Sequence, residues 1–410
     1  MDIYLNGAGF ENKGAEAMAY TAAAELGRRI PGARFHVKAP GGSAALPAGA
    51  GFLPVSGRRR ATAADLAALC RAVVRRPFLA LLLLRQRRRA LFFERLGRLD
   101  ACVDISGFAL GDAWGAGSAR RCAALFRYLK SCGRRCVFLP QAWGPFTDRG
   151  VARGAVRTIA CADLAFARDR RSFEYLTSIP GIARRKIRRA CDIAFLFRDA
   201  GAEAGARILA GRGIAGPIVG IVPNMRVYER SEGTEQANVY IRLLADVARF
   251  VRTRLTAVPL LLPHEVRPGD GAARDDRFLC RLVQECAGGP DAAPALTDAA
   301  TAAELKAIIG RCDMLVASRY HSIIAALSHR VVPVALGWSH KYAELLQDAG
   351  IAHLAFDIGR AAAADVLACV REAYERRTEL GRTIDANVRG MERSAEDALD
   401  ATSRVLTERE

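Results

Sequence analysis

Arg319 and His321 stand two positions apart in the stretch ASRYHSIIAALS (317–328). Arginine offers a planar fork of donors that fits a carboxylate or a phosphate. Histidine can carry a proton near neutral pH. Together the two suit the binding of an anion and the movement of a proton beside it, and Ser318 adds a hydroxyl. The run CDMLV (312–316) before them reads as a buried strand, and IIAALS after them as a helix. The pair therefore falls in a strand-to-helix turn, where open α/β sheets hold ligands.

Three other apparent strand ends in the second half carry residues of the same kind. PIVGIV runs into PNMRVYER and delivers Asn224 and Arg226. VPLLLP runs into His264 and Glu265, and VVPVALG runs into WSHKY, with His340 and Lys341. In a parallel sheet such ends line one crevice, and helix N-termini there add N–H groups for anions. Any one histidine alone reads as a hydrogen-bonded structural residue. The set reads as an anion site.

The segment NGAGFENKGAEAM (6–18) joins the first strand to the first helix. It is neither GxGxxG nor a P-loop, so no nucleotide fingerprint is supported. Asn12, Lys13 and Glu16 can be read in two ways. They could bind sugar hydroxyls or donor groups, or they could cap the helix, with Glu16 near its positive end. Asp104, Gly107, Gly111 and Asp112 in DISGFALGD, and Gln141 in LPQAWGPF, also follow apolar runs and place polar groups at strand ends.

The elements needed to position these residues alternate. Strands are expected at 2–6, 34–39, 101–106, 135–140, 163–167 and 191–197, then at 217–222, 257–262, 312–317 and 331–336. Helices are expected at 14–29, 61–75, 118–132 and 149–160, then at 236–254, 276–287, 302–310, 322–329 and 341–349. The Gly/Ala-rich stretch 201–216 reads as a helix leading out of a linker. The pattern is parallel α/β. It predicts two doubly wound domains, 1–200 and 201–410, facing across a cleft.

Composition bounds the rest. With 410 residues, 51% hydrophobic and 25% charged, the chain can fill two cores. The net charge of +18 is carried mostly by arginine. It fits either a solvated basic surface or an anionic partner: a phosphorylated metabolite, an anionic membrane or nucleic acid. The 11 cysteines include no CxxC pair. No zinc site is expected, and the thiols read as core residues of a reduced, cytoplasmic protein. No signal peptide is read before the first strand. The apolar run FLALLLL (78–84) is far shorter than the roughly 20 residues that span a bilayer. Around it, residues 57–98 set apolar residues between arginine clusters. This segment is either a helix packed into the first domain or an interfacial element on an anionic membrane.

The motifs, taken in order, resemble the polysaccharide pyruvyl transferase family over nearly the whole chain. They are ENKGAEAM, ISGFALGD, QAWGPF, ARDRRSFEYL, CDIAFLF, PNMR, SRYHSIIAALS and KYAELLQDAGI. The Ser–Arg–x–His turn with its small-residue helix is the most specific. The resemblance implies a GT-B-like pair of Rossmann-type domains, with the acceptor on the N-terminal side and the donor on the C-terminal side. It implies transfer of the enolpyruvyl group of phosphoenolpyruvate to sugar hydroxyls as a pyruvate ketal, in bacterial exopolysaccharide or other cell-surface glycan biosynthesis. Phosphoenolpyruvate is then a co-substrate and no cofactor or metal is needed.

By similarity, Arg226, Arg319 and His321 bind this donor, joined by Ser318, Asn224, His340 and Lys341. His321 is the expected general acid, with His264 or Asp112 as the base. Asn12, Lys13, Glu16 and Gln141 are the expected acceptor contacts, for a free or lipid-linked glycan. Residues 75–93 are the expected contact with the inner face of the plasma membrane. Two other functions fit the same features. One is a glycosyltransferase of this architecture with a nucleotide-sugar donor. The other is a non-catalytic basic protein binding glycan or nucleic acid. The basic runs lack the interleaved aromatics of nucleic-acid binders, so nucleic acid is not expected.

Overall fold

The computed structural model describes residues 1–39, 46, 51–56, 87–267, 275–298 and 300–408. The expected helix at 61–75 and most of the 57–98 segment lie outside the described residues. Its described part contains the helix Arg87–Leu96, in which Ala90, Leu91, Phe93 and Leu96 are buried in the first unit.

The chain divides into two compact units. One contains Met1–Phe10, Ala22–Asp192 and Glu396–Glu410, and the other contains Glu11–Thr21 and Ile193–Ala395. The expected division at residue 200 lies close to the crossing at Asp192–Ile193. It misses three other crossings, at Phe10–Glu11, Thr21–Ala22 and Ala395–Glu396, and the helices Lys13–Arg29 and Arg377–Thr407 run through the last two of these.

In the first unit seven parallel strands are ordered β3-β2-β1-β4-β5-β6-β7. They are β1 Asp2–Asn6, β2 Arg34–Lys38, β3 Leu53–Val55, β4 Ala101–Asp104, β5 Arg135–Gln141, β6 Leu164–Ala167 and β7 Ile187–Arg189. The central strands are covered on both faces by helices, so β4 and β6 are buried at every position. This is why they read in the sequence as continuous apolar runs. The core is anchored by Phe126, Phe138 and Trp143, whose rings pack at 4.3 Å and 5.5 Å. The buried indole N–H of Trp143 donates to the Phe166 carbonyl at 2.9 Å.

In the second unit five parallel strands are ordered β12-β11-β10-β8-β9. They are β8 Ile218–Val222, β9 Val258–Leu261, β10 Met314–Ala317, β11 Val332–Gly337 and β12 Ala355–Asp357. Both sheets are doubly wound. The chain reverses direction between β1 and β4 in the first and between β8 and β10 in the second.

One expected strand is absent. CDIAFLF (191–197) forms a 3-10 turn at Ile193–Leu196. Its apolar residues Ile193, Ala194 and Phe195 are buried by packing rather than by pairing. Among the described residues no helix is long and apolar enough to cross a membrane, and no group of three or more His, Cys, Asp or Glu is placed to hold a metal ion.

Candidate functional site

At the reversal point of the second sheet, Asn224 ties two strand exits together. It follows β8, and its Nδ2 donates to the Ser318 carbonyl beyond β10 at 2.6 Å. Its Oδ1 accepts from the Arg226 N–H at 2.9 Å and caps the turn Met225–Tyr228. The Ser318 carbonyl also accepts from the Tyr342 hydroxyl at 2.8 Å.

The exit of β9 is organised by Asp276, a fully buried carboxylate at the start of the helix Asp276–Ala287. Its Oδ2 accepts from the backbone N–H of His264 at 3.1 Å and of Glu265 at 2.8 Å. Its Oδ1 accepts from Arg319 at 2.5 Å. Arg319 also donates to Glu265 Oε2 at 2.9 Å. The sequence suggested a guanidinium open to an anionic donor. Instead, both its terminal nitrogens hold carboxylates, because a cation only 7% exposed needs compensation on the spot. Burial opposes its charge, but Asp276 and Glu265 outweigh that and raise its pKa. Burial likewise pushes the Glu265 carboxyl up, and Arg319 and Arg267 outweigh it and hold it below its ordinary range. For Asp276 burial wins, and its pKa is raised.

The loop before the first helix is stitched to the same exit. Lys13 N donates to the His264 carbonyl at 3.0 Å, and Val266 N donates to the Glu11 carbonyl at 2.9 Å. Asn12 caps the helix through Gly14 N at 2.9 Å. Glu16 is buried, pairs with Lys13 at 2.8 Å and accepts from Ala302 N at 3.1 Å. The capping reading thus describes Asn12, whereas Glu16 reaches the first N–H of another helix, Ala302–Ile309.

His264 and His321 meet at one small cavity of about 20 Å³, lined also by Lys13 and Lys306. That is room for about one water molecule. His264 is only 4% exposed. Burial, helped by the charges of Arg319 and Lys13 and by the neighbouring His321, lowers its pKa well below the ordinary value. It is therefore a neutral imidazole, and its Nδ1 has no hydrogen-bond partner among the described residues. Burial also lowers the Lys306 pKa to about 8.

Other cations lie at the same strand ends. Arg226 is exposed and pairs with Glu229 at 3.1 Å. Lys341 is buried among rings, with Nζ 4.7 Å from the centroid of Trp338, and Arg230 lies 4.5 Å from the same ring. His340 starts the helix His340–Asp348 beside them.

Two expected site residues belong to the first unit. Gln141, at the end of β5, donates to Asp104 at 3.0 Å, and its Oε1 has no partner among the described residues. Asp104 is fully buried and also accepts from Asn6 at 2.5 Å and from the Ser106 N–H at 3.1 Å. Burial raises its pKa. Asp112 closes a different loop. It accepts from Thr147 N at 2.9 Å, from Thr147 Oγ1 at 2.6 Å and from Asp148 N at 3.2 Å. These bonds outweigh its burial and keep its pKa low.

Sequence reasoning missed Asp276, Lys306, Trp338 and Gly14 as site residues. Asp276 had a weak signal, as the second acid of a pair opening a helix. Lys306 had none, because it sits in the middle of the helix Ala302–Ile309.

The family model for polysaccharide pyruvyl transferase matches residues 12–340. Solved structures share the fold at low identity. S. aureus MnaA with UDP superposes with a TM-score of 0.62 at 10% identity, covering 100% of this chain and 98% of that one. Anabaena HepE in complex with UDP-glucose gives 0.57 at 11%, covering 98% of each. UDP-GlcNAc 2-epimerase from Neisseria meningitidis bound to UDP-GlcNAc gives 0.54 at 9%, covering 99% of each. This likeness establishes a GT-B-like architecture of two Rossmann-type units.

Proposed function

This chain belongs to the polysaccharide pyruvyl transferase family, and on that premise we propose that its donor is phosphoenolpyruvate and its acceptor a sugar, free in a glycan or carried on a lipid or nucleotide. The observation that carries the reading is a coincidence of segments. The family match includes the Asn12 loop, the His264 exit and the SRYH turn. These three segments surround the cavity shared by the two imidazoles.

The chemistry requires a proton for the methylene carbon of the enol, leaving positive charge at C2. One sugar hydroxyl attacks C2 and gives up its proton to a base. Phosphate leaves with the proton of a second hydroxyl as that oxygen closes the ketal. His321 is the general acid of this scheme, and His264, neutral and buried, is the base. A positioned acid or base typically contributes about 10²–10⁴-fold. Arg226 and Lys341 supply charge to the donor's phosphate and carboxylate, with Asn224, Ser318 and His340 around them. Arg319 acts through Glu265 and Asp276, which fix the position of His264. Lys13, which lines the cavity of the two imidazoles, is the contact for acceptor hydroxyls in this scheme. Peripheral contact of residues 75–93 with anionic lipid is part of the proposal. Flotation unchanged by replacing Arg87, Arg88 and Arg89 with Glu would count against it.

The test is thermal denaturation with phosphoenolpyruvate, in wild type and in Arg226→Ala and His321→Asn. A ligand at about 100 times its dissociation constant stabilises by roughly 2.7 kcal/mol. The expected result is a clear rise in wild type that shrinks in Arg226→Ala. His321→Asn should keep some binding and lose turnover. No rise with phosphoenolpyruvate, but a rise with UDP-glucose or UDP-GlcNAc, would favour the nucleotide-sugar reading instead.

A further inference from the structure

The helices Gly115–Ser131 and Arg149–Cys161 cover one face of the first sheet and contain no acidic residue, against four and three basic ones. They approach closely through small side chains. A Cβ on Gly154 would lie 2.5 Å from the Ala119 Cβ, and one on Gly150 would lie 2.8 Å from the Ala116 Cβ. Beside this contact is a cavity of about 300 Å³. Ala123, Ala124, Gly150 and Gly154 line it together with Arg120, Arg127, Arg153 and Arg157.

None of the four arginines makes an ion pair or a hydrogen bond among the described residues. Arginines on other helices find acids one turn away, as Arg170 does with Glu174 and Arg376 with Glu372. The Asp148 carboxylate lies beside Gly150 at one edge, where it accepts from the Val151 N–H. The four guanidinium groups, none ion-paired among the described residues, repel one another, and a multivalent anion would relieve that repulsion. Guanidinium groups from two helices can fork onto the oxygens of one phosphate group. The small floor residues leave the volume such a group needs.

We propose that this cavity is a binding site for a phosphate or diphosphate group, carried either by a soluble metabolite or by a lipid headgroup. It lies on the outer face of two helices of the first unit, and it does not rest on the donor chemistry proposed above.

The test compares wild type with the double variant Arg127→Glu/Arg153→Glu. Both positions are exposed on helix surfaces, so the exchange should leave the fold intact. An unchanged melting temperature and an unchanged response to phosphoenolpyruvate check this. Calorimetry with inorganic pyrophosphate reads the soluble source. Flotation with phosphatidylglycerol vesicles, against phosphatidylcholine vesicles, reads the headgroup source.

Pyrophosphate affinity that falls at least tenfold in the variant supports the site for a soluble ligand. Flotation with phosphatidylglycerol only, lost in the variant, supports it for a lipid headgroup. Binding of either probe that is equal in both proteins overturns the proposal, as does no binding of either by wild type. Binding of a random oligonucleotide alone, lost in the variant, overturns it in favour of a nucleic-acid surface.

Discussion

Gly14 lies against His321, so closely that a Cβ built on the glycine would come 2.1 Å from Nδ1 and 2.5 Å from Cγ of the imidazole. The helix start and the histidine turn are far apart in the chain, yet each sets the position of the other. Forcing a methyl group into such a contact typically costs about 1–3 kcal/mol and moves the softer partner. Gly14→Ala should therefore fold, with a modest fall in stability, and lose most pyruvyl transfer because His321 is displaced. Circular dichroism and a turnover assay read the two effects. Full turnover in Gly14→Ala would show that the imidazole position does not matter.

Asp276 should be among the most sensitive residues in the second unit. Asp276→Ala strips Arg319 of one carboxylate and leaves the N–H groups of His264 and Glu265 without their acceptor. Breaking a buried pair from one side typically costs about 3–5 kcal/mol. The double variant Asp276→Leu/Arg319→Met should recover only the share of the loss due to the unpaired guanidinium, because the N–H groups of His264 and Glu265 still lack their acceptor. Urea denaturation measures both. A loss for Asp276→Ala as small as the roughly 0–1 kcal/mol of an exposed ion pair would overturn this view of the cluster.

His264 makes stability depend on pH. Its folded pKa lies well below the value near 6.5 expected in the unfolded chain. Between those two values the unfolded chain binds the extra proton. The stability conferred by keeping the group neutral is therefore complete above about pH 6.5 and falls as pH drops toward the folded pKa. One proton contributes a slope of at most about 1.4 kcal/mol per pH unit. His329, lowered chiefly by burial, acts in the same direction. His264→Gln should flatten the curve between pH 7 and 5. An unchanged slope would mean that His264 is charged in the fold.

Lys306 acts at the alkaline end. Its pKa falls from 10.5 to about 8 because it is buried. Between those values the unfolded chain binds more protons, so stability rises with pH as the cost of burying the charge disappears. Wild type minus Lys306→Met should gain roughly 1–3 kcal/mol from pH 8 to pH 10. No difference between the two slopes would place the lysine in water.

The parts legible in the sequence are those whose physics is local. The central strands β4, β6, β8 and β10 are covered on both faces, so burial leaves long apolar runs in the chain. β3, β7 and β12 were missed because edge strands are short and half solvated, and so carry little periodicity. The motif order pointed to the family, and the strand-end rule found His264, Arg319 and His321.

What those residues do to one another was decided by tertiary structure. Arg319 read as a cation awaiting an anion, whereas burial requires it to be neutralised, and the two acids that do so lie 54 and 43 residues away. The Asn12 loop sits near the N-terminus, but its neighbours Glu11, Lys13 and Glu16 bond to Val266, His264 and Ala302. The four arginines of the helix cavity are spread over two helices and share no motif. Side-chain type and local pattern are written in the chain. Compensation of a buried charge is a property of whatever the fold places within a few ångströms of it.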